Sequence, residues 1–360
     1  MKTHLLLLGA GHAHAVLLNT WAAQGYRPQN CWLLSESPLQ MYSGMVPGWL
    51  AGDYKEEECL LDVASLCRRL GIGWIEASVS AINADERWVE AAGVRYEFDL
   101  LSINLGSRQK ATQVAADGVA IKPFPAFVTR VAQWDARCTP GAAPLRLAVV
   151  GGGLGGFELV LGLAARYRAS GSHLEVCWFT GPQGPLPKLS PGGRRQALSA
   201  LTDKPVRVRP EYFRAAAPGD AFSGVVWACQ GQAPDCLAAS GLMLDGAGFI
   251  AVDSYFRSLS HAGIVAAGDV CRRMDGTLAP SGVNAVRAGA VLAANLRCLC
   301  SGQGHWSAYK PAHWVLQIAA LGHRDALALY GPWYWRAPWV WRLKRFIDKR
   351  FMRSFRSGFI

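Results

Sequence analysis

Leu145-Arg146-Leu147-Ala148-Val149-Val150-Gly151-Gly152-Gly153-Leu154-Gly155-Gly156-Phe157-Glu158 decides the fold of this 360-residue chain. The first six residues are apolar apart from Arg146, the pattern of a strand buried on both faces of a parallel sheet. They run directly into Gly151, Gly153 and Gly156. That spacing lets a backbone turn approach a diphosphate at the positive end of the helix that follows. An apolar helix to about Ala165 completes the unit. The next strand, Leu174 to Phe179, ends in Thr180-Gly181, with no acid where ribose hydroxyls are usually received. Either a base such as Arg194 or Arg195 meets the 2′-phosphate of NADPH, or this turn has lost nicotinamide binding. The spacing leaves both open.

A first copy of the same unit opens the chain. Leu5 to Leu8 is a continuous apolar run, and Gly9-Ala10-Gly11-His12-Ala13-His14 follows at once. Gly9 permits the sharp turn and Gly11 the close backbone approach, while His14 stands at the third glycine position, where helix and strand pack. His12 and His14 read either as turn and packing residues or as donors toward a bound ring. Cys31 to Leu34 forms the next strand and ends in Ser35-Glu36, where a carboxylate can accept both hydroxyls of an adenosine ribose. Two such units about 140 residues apart suggest an FAD domain interrupted by an NAD(P) domain. A third mark supports this. The short apolar strand around Ile264 ends in Gly268-Asp269, and Ser281-Gly282-Val283-Asn284 then opens an alanine-rich helix. An acid at that strand end is placed to accept a hydrogen bond from a ribityl hydroxyl, and the helix start to face the flavin.

The composition is that of a folded enzyme, with 51% hydrophobic and 18% charged residues. Ten cysteines lie scattered without a CxxC pair or zinc-ligand spacing, so neither a metal site nor a thioredoxin-like dithiol is expected. Cys271, two residues after Asp269, reads as a redox thiol or as a small packing residue. The opening residues imitate a short secretory signal, but they make a better first strand and glycine turn. No apolar run long enough to cross a bilayer is read after them, which makes the cytoplasm the default location. The net charge of +11 is concentrated at the end, where residues 331–360 hold eight bases against Asp348 alone. On a helix beginning near Pro338, Trp339, Leu343, Phe346, Ile347 and Phe351 fall on one side, flanked by bases. Such a helix either lies in a lipid headgroup layer, at the inner face of the membrane, or docks on the protein body with its bases in solvent. No recognition motif accompanies the charge, so nucleic acid is not an expected partner.

Taken together, the three glycine-centred sites resemble the two-dinucleotide-binding-domain flavoproteins, the superfamily of pyridine nucleotide-disulfide oxidoreductases and type II NADH dehydrogenases. Within it, Tyr42-Ser43-Gly44-Met45-Val46-Pro47-Gly48, Leu101 to Ser107 and the tail Trp341 to Met352 are similar to the flavoprotein module found N-terminal to selenide, water dikinase. The resemblance implies an α/β protein with two Rossmann-like domains: an FAD domain over 1–110 and 245–305, an inserted NAD(P)-type domain over 111–244 and a basic aromatic region over 306–360. It implies FAD contacts at Gly9, Gly11, His12, Glu36, Gly44, Gly106, Gly268, Asp269 and Val283. Nicotinamide-phosphate contacts are implied at Gly151, Gly153 and Gly156, with Glu158 near both rings or merely favouring its helix dipole. Electrons would pass from NAD(P)H or a small organic reductant to a quinone, oxygen or a sulfur or selenium compound. The rival is an FAD-dependent oxidase acting on an amine, thiol or peptide without nicotinamide. Sulfide-oxidising relatives use paired cysteines near the flavin, and Cys138 and Cys300 could in principle approach one another here. Two departures from the family pattern, at Ala228-Cys229-Gln230 and Pro280-Ser281, fall where substrate or nicotinamide would approach.

Overall fold

In the computed structural model, which describes residues 4–109, 118–138, 143–169, 174–214, 222–229, 231–278 and 281–357, the run Leu5–Leu8 is the middle strand of a five-stranded parallel sheet. The order is Ile264–Ala266, Leu100–Ile103, Leu5–Leu8, Cys31–Ser35, Gly73–Glu76. All four leucines are at most 1% exposed, which explains why the run carries no polar alternation. The helices His12–Ala23 and Gly282–Ser301 pack on this sheet and on each other. A side chain at Gly289 would stand 2.5 Å from Val16 Cβ, so glycine sets their close approach, and Trp21 Nε1 donates to Ala293 O (3.1 Å) across the same seam.

The second glycine turn belongs to another five-stranded parallel sheet, ordered Gly118–Ala120, Gly224–Trp227, Leu145–Val150, Leu174–Phe179, Val206–Arg209. Its central strand again feeds a helix, Leu154–Ala169. The α/β architecture with two Rossmann-like units is therefore as read. The boundary expected at 110/111 lies outside the described residues, as do Gln230 and Pro280.

One expectation is corrected, and one of two alternatives is met. By length and composition the helix Gly282–Ser301 could cross a membrane, contrary to the reading of no such run. Asn284, Arg287, Asn295 and Arg297 interrupt its apolar residues without lowering the average enough. Here Ala285, Ala288, Leu292, Ala293 and Leu296 are buried in the protein core. For the tail, the docked alternative is the one found, with a different inner face. Residues 317–336 form a three-stranded antiparallel sheet, Gln317–Gly322, Asp325–Tyr330 and Trp333–Arg336, and the helix Pro338–Ser357 docks against the body. The face it buries carries Val340, Trp341, Lys344, Asp348, Met352 and Phe355, whereas Trp339 and Phe346 point outward at 52% and 61% exposure. Of the apolar stripe read from the sequence, Trp339 and Phe346 lie on the outer face, while Leu343 and Phe351 are partly buried. The inner face was disguised because two of its six residues are charged.

Candidate functional site

The two halves of the first unit meet at one side chain. Asn104 follows the strand Leu100–Ile103; its Oδ1 accepts from the backbone N–H of His14 (3.1 Å), and its Nδ2 donates to Ala267 O (2.6 Å). A methyl at Gly11 would stand 2.5 Å from Asn104 Oδ1, and one at Gly268 2.5 Å from Nδ2. The opening turn and the late Gly268-Asp269 turn are therefore within reach of one side chain, as a single ligand touching both requires. His14 lies behind this junction. Its Nδ1 faces Gly9 O (2.6 Å), which can only accept, so Nδ1 carries the proton and Nε2 accepts from Ser102 Oγ (2.8 Å). Burial pushes His14 down to about 4, and it is a neutral packing residue.

In front of the junction lies a cavity of about 920 Å³, near the upper end of what cofactor sites span. The first unit contributes His12, Gly44, Asp269 and Val283 to its wall. The second contributes Leu154, Gly155, Glu158 and Cys229, and the tail adds Leu316, Ile318, Lys344, Ile347, Asp348 and Phe351. Lys122 sits 3.7 Å from Asp269 and also lines it. Burial, with Lys122 adding to it and Asp269 opposing, holds His12 at about 4.

One wall is ionisable and largely shut from solvent. Lys344 Nζ donates to Gly44 O (2.8 Å) and to Asp348 Oδ2 (3.0 Å), and the Tyr54 hydroxyl donates to the same oxygen (3.2 Å). Burial raises the Asp348 carboxyl above its ordinary value against the pull of Lys344 and two tyrosines. Glu158 accepts from Ala320 N–H (2.8 Å), and burial lifts it from 4.5 to about 7, with Lys344 pulling down and Asp348 pushing up. A carboxyl raised in the folded state favours folding while it is protonated, and that advantage is lost as pH rises from 4.5 through 7. Glu158→Gln keeps the acceptor for Ala320 and removes the titration. Its unfolding free energy is expected to match the parent near pH 4.5 and to exceed it by about 3 kcal/mol above pH 7.5. Parallel urea curves at every pH would contradict this.

Residues 3–289 match the family model described as pyridine nucleotide-disulphide oxidoreductase. The chain belongs to this family. It is accordingly an FAD-dependent oxidoreductase. Solved structures share its fold: the sulfide:quinone oxidoreductase of the hyperthermophilic bacterium Aquifex aeolicus has a TM-score of 0.76 and 16% identity over 99% of this chain and 92% of that one. NDH2 from Plasmodium falciparum, in complex with NADH, has a TM-score of 0.77 and 12% identity over 98% of both chains. An NAD-dependent persulfide reductase from A. fulgidus has a TM-score of 0.71 and 19% identity over 91% of this chain and 64% of that one. Among curated proteins none matches this chain in sequence.

For a pyridine nucleotide-disulphide oxidoreductase the residues present fit FAD. The close backbone approach at Gly11 is built, Asp269 lies on the cavity wall, and among the described residues nothing lies within 4 Å of where side chains at Gly106, Gly153 and Gly155 would begin. Gly9, Gly11 and Gly268 form the floor around Asn104. Gly151 and Gly156 close the second turn, where Gly156 sits against Gly151 O. Glu36 is not part of the cavity wall; it accepts from Ser78 Oγ (2.8 Å) and pairs with Arg108, whose neighbours Ser107 and Gln109 line the cavity. Cys271 is 2% exposed, and burial pushes its thiol up to about 12, so the packing reading holds. Cys138 neighbours Tyr167 and Cys300 bonds to Tyr26; both thiols are free. The sequence reading missed Asn104, Lys122, Lys344 and Asp348 as site residues. One signal was available for the last two: Asp348 is the only acid of residues 331–360 and stands four residues from a lysine.

Proposed function

We propose that the chain holds FAD between the first glycine turn and Asp269, takes electrons from NAD(P)H bound at the second turn, and delivers them to a quinone, oxygen or a sulfur or selenium acceptor. The observation that carries this reading is the single cavity whose wall is drawn from both glycine units, with Asp269 and Val283 on one side and Gly155 and Glu158 on the other. The domains are read as 1–110 with 245–305 for FAD, 111–244 for nicotinamide and 306–360 as the closing region. Glu36 and Asp269 hold the two sugar parts, while Gly9, Gly11, Gly44, Gly106, Gly268 and His12 frame the rest. Gly151, Gly153 and Gly156 receive the nicotinamide phosphates. FAD, when bound, supplies the redox chemistry and passes on two electrons with one proton. Glu158 exchanges the further proton that a two-electron acceptor takes up. Anaerobic mixing with NADH and with NADPH is expected to bleach the flavin band with at least one of them. No bleaching with either removes the nicotinamide half of the proposal.

Thr180 favours the rival oxidase. Its hydroxyl is turned to the backbone oxygens of Gly181 and Arg209, and no carboxylate ends that strand. Peroxide formed on adding an amine or thiol, without nicotinamide, identifies it. The likeness to the module preceding selenide, water dikinase rests on sequence segments alone. Its two most telling segments are about 300 residues apart in sequence and touch, through Lys344 on Gly44 and Phe351 against Tyr42 at 4.6 Å.

The same tail suits peripheral contact with an anionic membrane from the cytoplasmic side. Trp333, Trp335, Trp339, Phe346 and Ile347 are all at least 40% exposed, and Arg342, Arg345, Arg350 and Arg353 lie on the exposed side of the helix. Changing Trp339 and Phe346 together to serine alters two side chains that are more than half exposed. Binding to phosphatidylglycerol vesicles is expected to weaken by roughly two decades, and unchanged flotation dismisses the membrane.

A further inference from the structure

The tail helix is more than a lid on this cavity. We propose that Lys344 and Asp348 are positioning residues for the reaction, a charge pair carried by the C-terminal helix that sets when Glu158 holds the proton it gives to the acceptor. This rests on the proposed role of Glu158 and names what regulates it.

The geometry is specific. Lys344 and Asp348 lie one helical turn apart with side chains 7% and 4% exposed, in a helix whose other bases mostly face solvent. Burying an ion pair costs more desolvation than its attraction returns unless further hydrogen bonds complete it, so a stable fold alone gives little reason for it here. It is completed by Gly44 O on the lysine and by Tyr54 on the aspartate, which fixes both charges against the cavity. Glu158 faces them from the helix Leu154–Ala169. From the sheet Gln317–Gly322 it receives only the Ala320 N–H. On the first unit's side, Tyr42 bonds to Asp348, and His12, Lys122 and Asp269 stand across the cavity; Lys188, Arg272 and Arg287 complete its charged lining. Glu158 shares the cavity wall with Lys344 and Asp348, and their opposite charges pull its carboxyl down and push it up respectively.

The chemistry gives that balance a use. Reducing a quinone to hydroquinone, or oxygen to hydrogen peroxide, takes two electrons and two protons. One proton comes with the electrons and one from the protein: the O–H bond of Glu158 breaks, an O–H bond forms on the acceptor, and the carboxylate left behind is reprotonated from water at the cavity mouth. Such a donor works best with a pKa near the working pH. Lys344 alone would empty it too early, and Asp348 offsets that pull.

The test is the pH dependence of turnover with a short-chain benzoquinone, measured on the full flavin-loaded chain, beside the pH dependence of urea unfolding of the flavin-free chain. In the parent both bend near pH 7, and turnover falls about tenfold per unit above it. Glu158→Gln removes both bends. Lys344→Met moves both upward by about one unit, and Asp348→Asn moves both downward by less. Lys344→Arg, which keeps the charge, leaves them near the parent position. Should a single substitution unfold the chain, Lys344→Met with Asp348→Leu removes both buried charges together. There the bends move upward, because the lysine has the larger influence. A parent without a bend, or a bend that survives Glu158→Gln, overturns the role of Glu158 itself. A bend that Glu158→Gln removes, but that Lys344→Met and Asp348→Asn leave in place or shift in the same direction, overturns this inference alone.

Discussion

Replacing Asn104 by leucine is expected to lower the unfolding free energy by about 3–5 kcal/mol and to leave the purified protein without its yellow colour. The side chain is 3% exposed and makes two hydrogen bonds, to His14 N–H and Ala267 O, that tie the opening turn to the late one. Leucine has the volume but neither polar atom, so a buried donor and a buried acceptor are left unpaired at a cost of about 1–3 kcal/mol each. Steric strain adds to this. Gly9, Gly11 and Gly268 leave no space beyond the planar amide, and a branched carbon meets the turn backbone. The turn that must present its amides to a diphosphate then moves, so flavin should be lost before the fold is. Ser102→Ala is the control. It removes one hydrogen bond, to the His14 ring, and should cost about 1 kcal/mol with the colour kept. Urea unfolding with a visible spectrum decides the matter, and a yellow Asn104→Leu chain with the parent midpoint would show that Asn104 joins nothing.

Asn104 also marks where the sequence stops being legible. Both glycine turns and the Gly268-Asp269 turn could be read directly, because each couples a continuous apolar strand to a conformational need that few residues meet. Leu5–Leu8 and Leu145–Val150 are central strands for that reason. Asn104 follows a strand of the same kind, yet its role depends on two partners 90 and 163 residues away, and no local pattern carries that. His14 was ambiguous for a related reason. A histidine in place of the third glycine is compatible with packing or with donation, and the Gly9 carbonyl and Ser102 decide for packing. The tail misled most. Amphipathic periodicity assumes that buried positions are apolar, whereas this helix buries Lys344 and Asp348 and leaves Trp339 and Phe346 outside. The pattern predicted a helix correctly and gave it the wrong inner face.

That inversion changes what removing the tail would do. If the helix were an anchor held only by lipid, a chain ending at Ala337 would fold, bind flavin and merely fail to float with vesicles. The docked helix implies a different outcome. Val340, Trp341, Met352 and Phe355 are each at most 6% exposed, and burying four such side chains contributes roughly 6–12 kcal/mol. That is comparable with the whole stability of an ordinary domain. Truncation also strips partners from the body: Arg69 loses Phe355 O, Glu58 loses Lys349, and Tyr54 loses Asp348. On the cavity side it opens the wall formed by Lys344, Ile347, Asp348 and Phe351 to water. A chain ending at Ala337 is therefore expected to melt at least roughly 10 °C lower, to retain little flavin and to expose apolar surface to a hydrophobic dye. The substitutions of Trp339 and Phe346 should leave melting and colour unchanged while weakening vesicle binding, since those side chains face outward. A truncated chain with full flavin and the parent melting temperature would return the helix to the role of a detachable anchor. Loss of flavin with the serine substitutions would mean that the exposed face belongs to the fold after all.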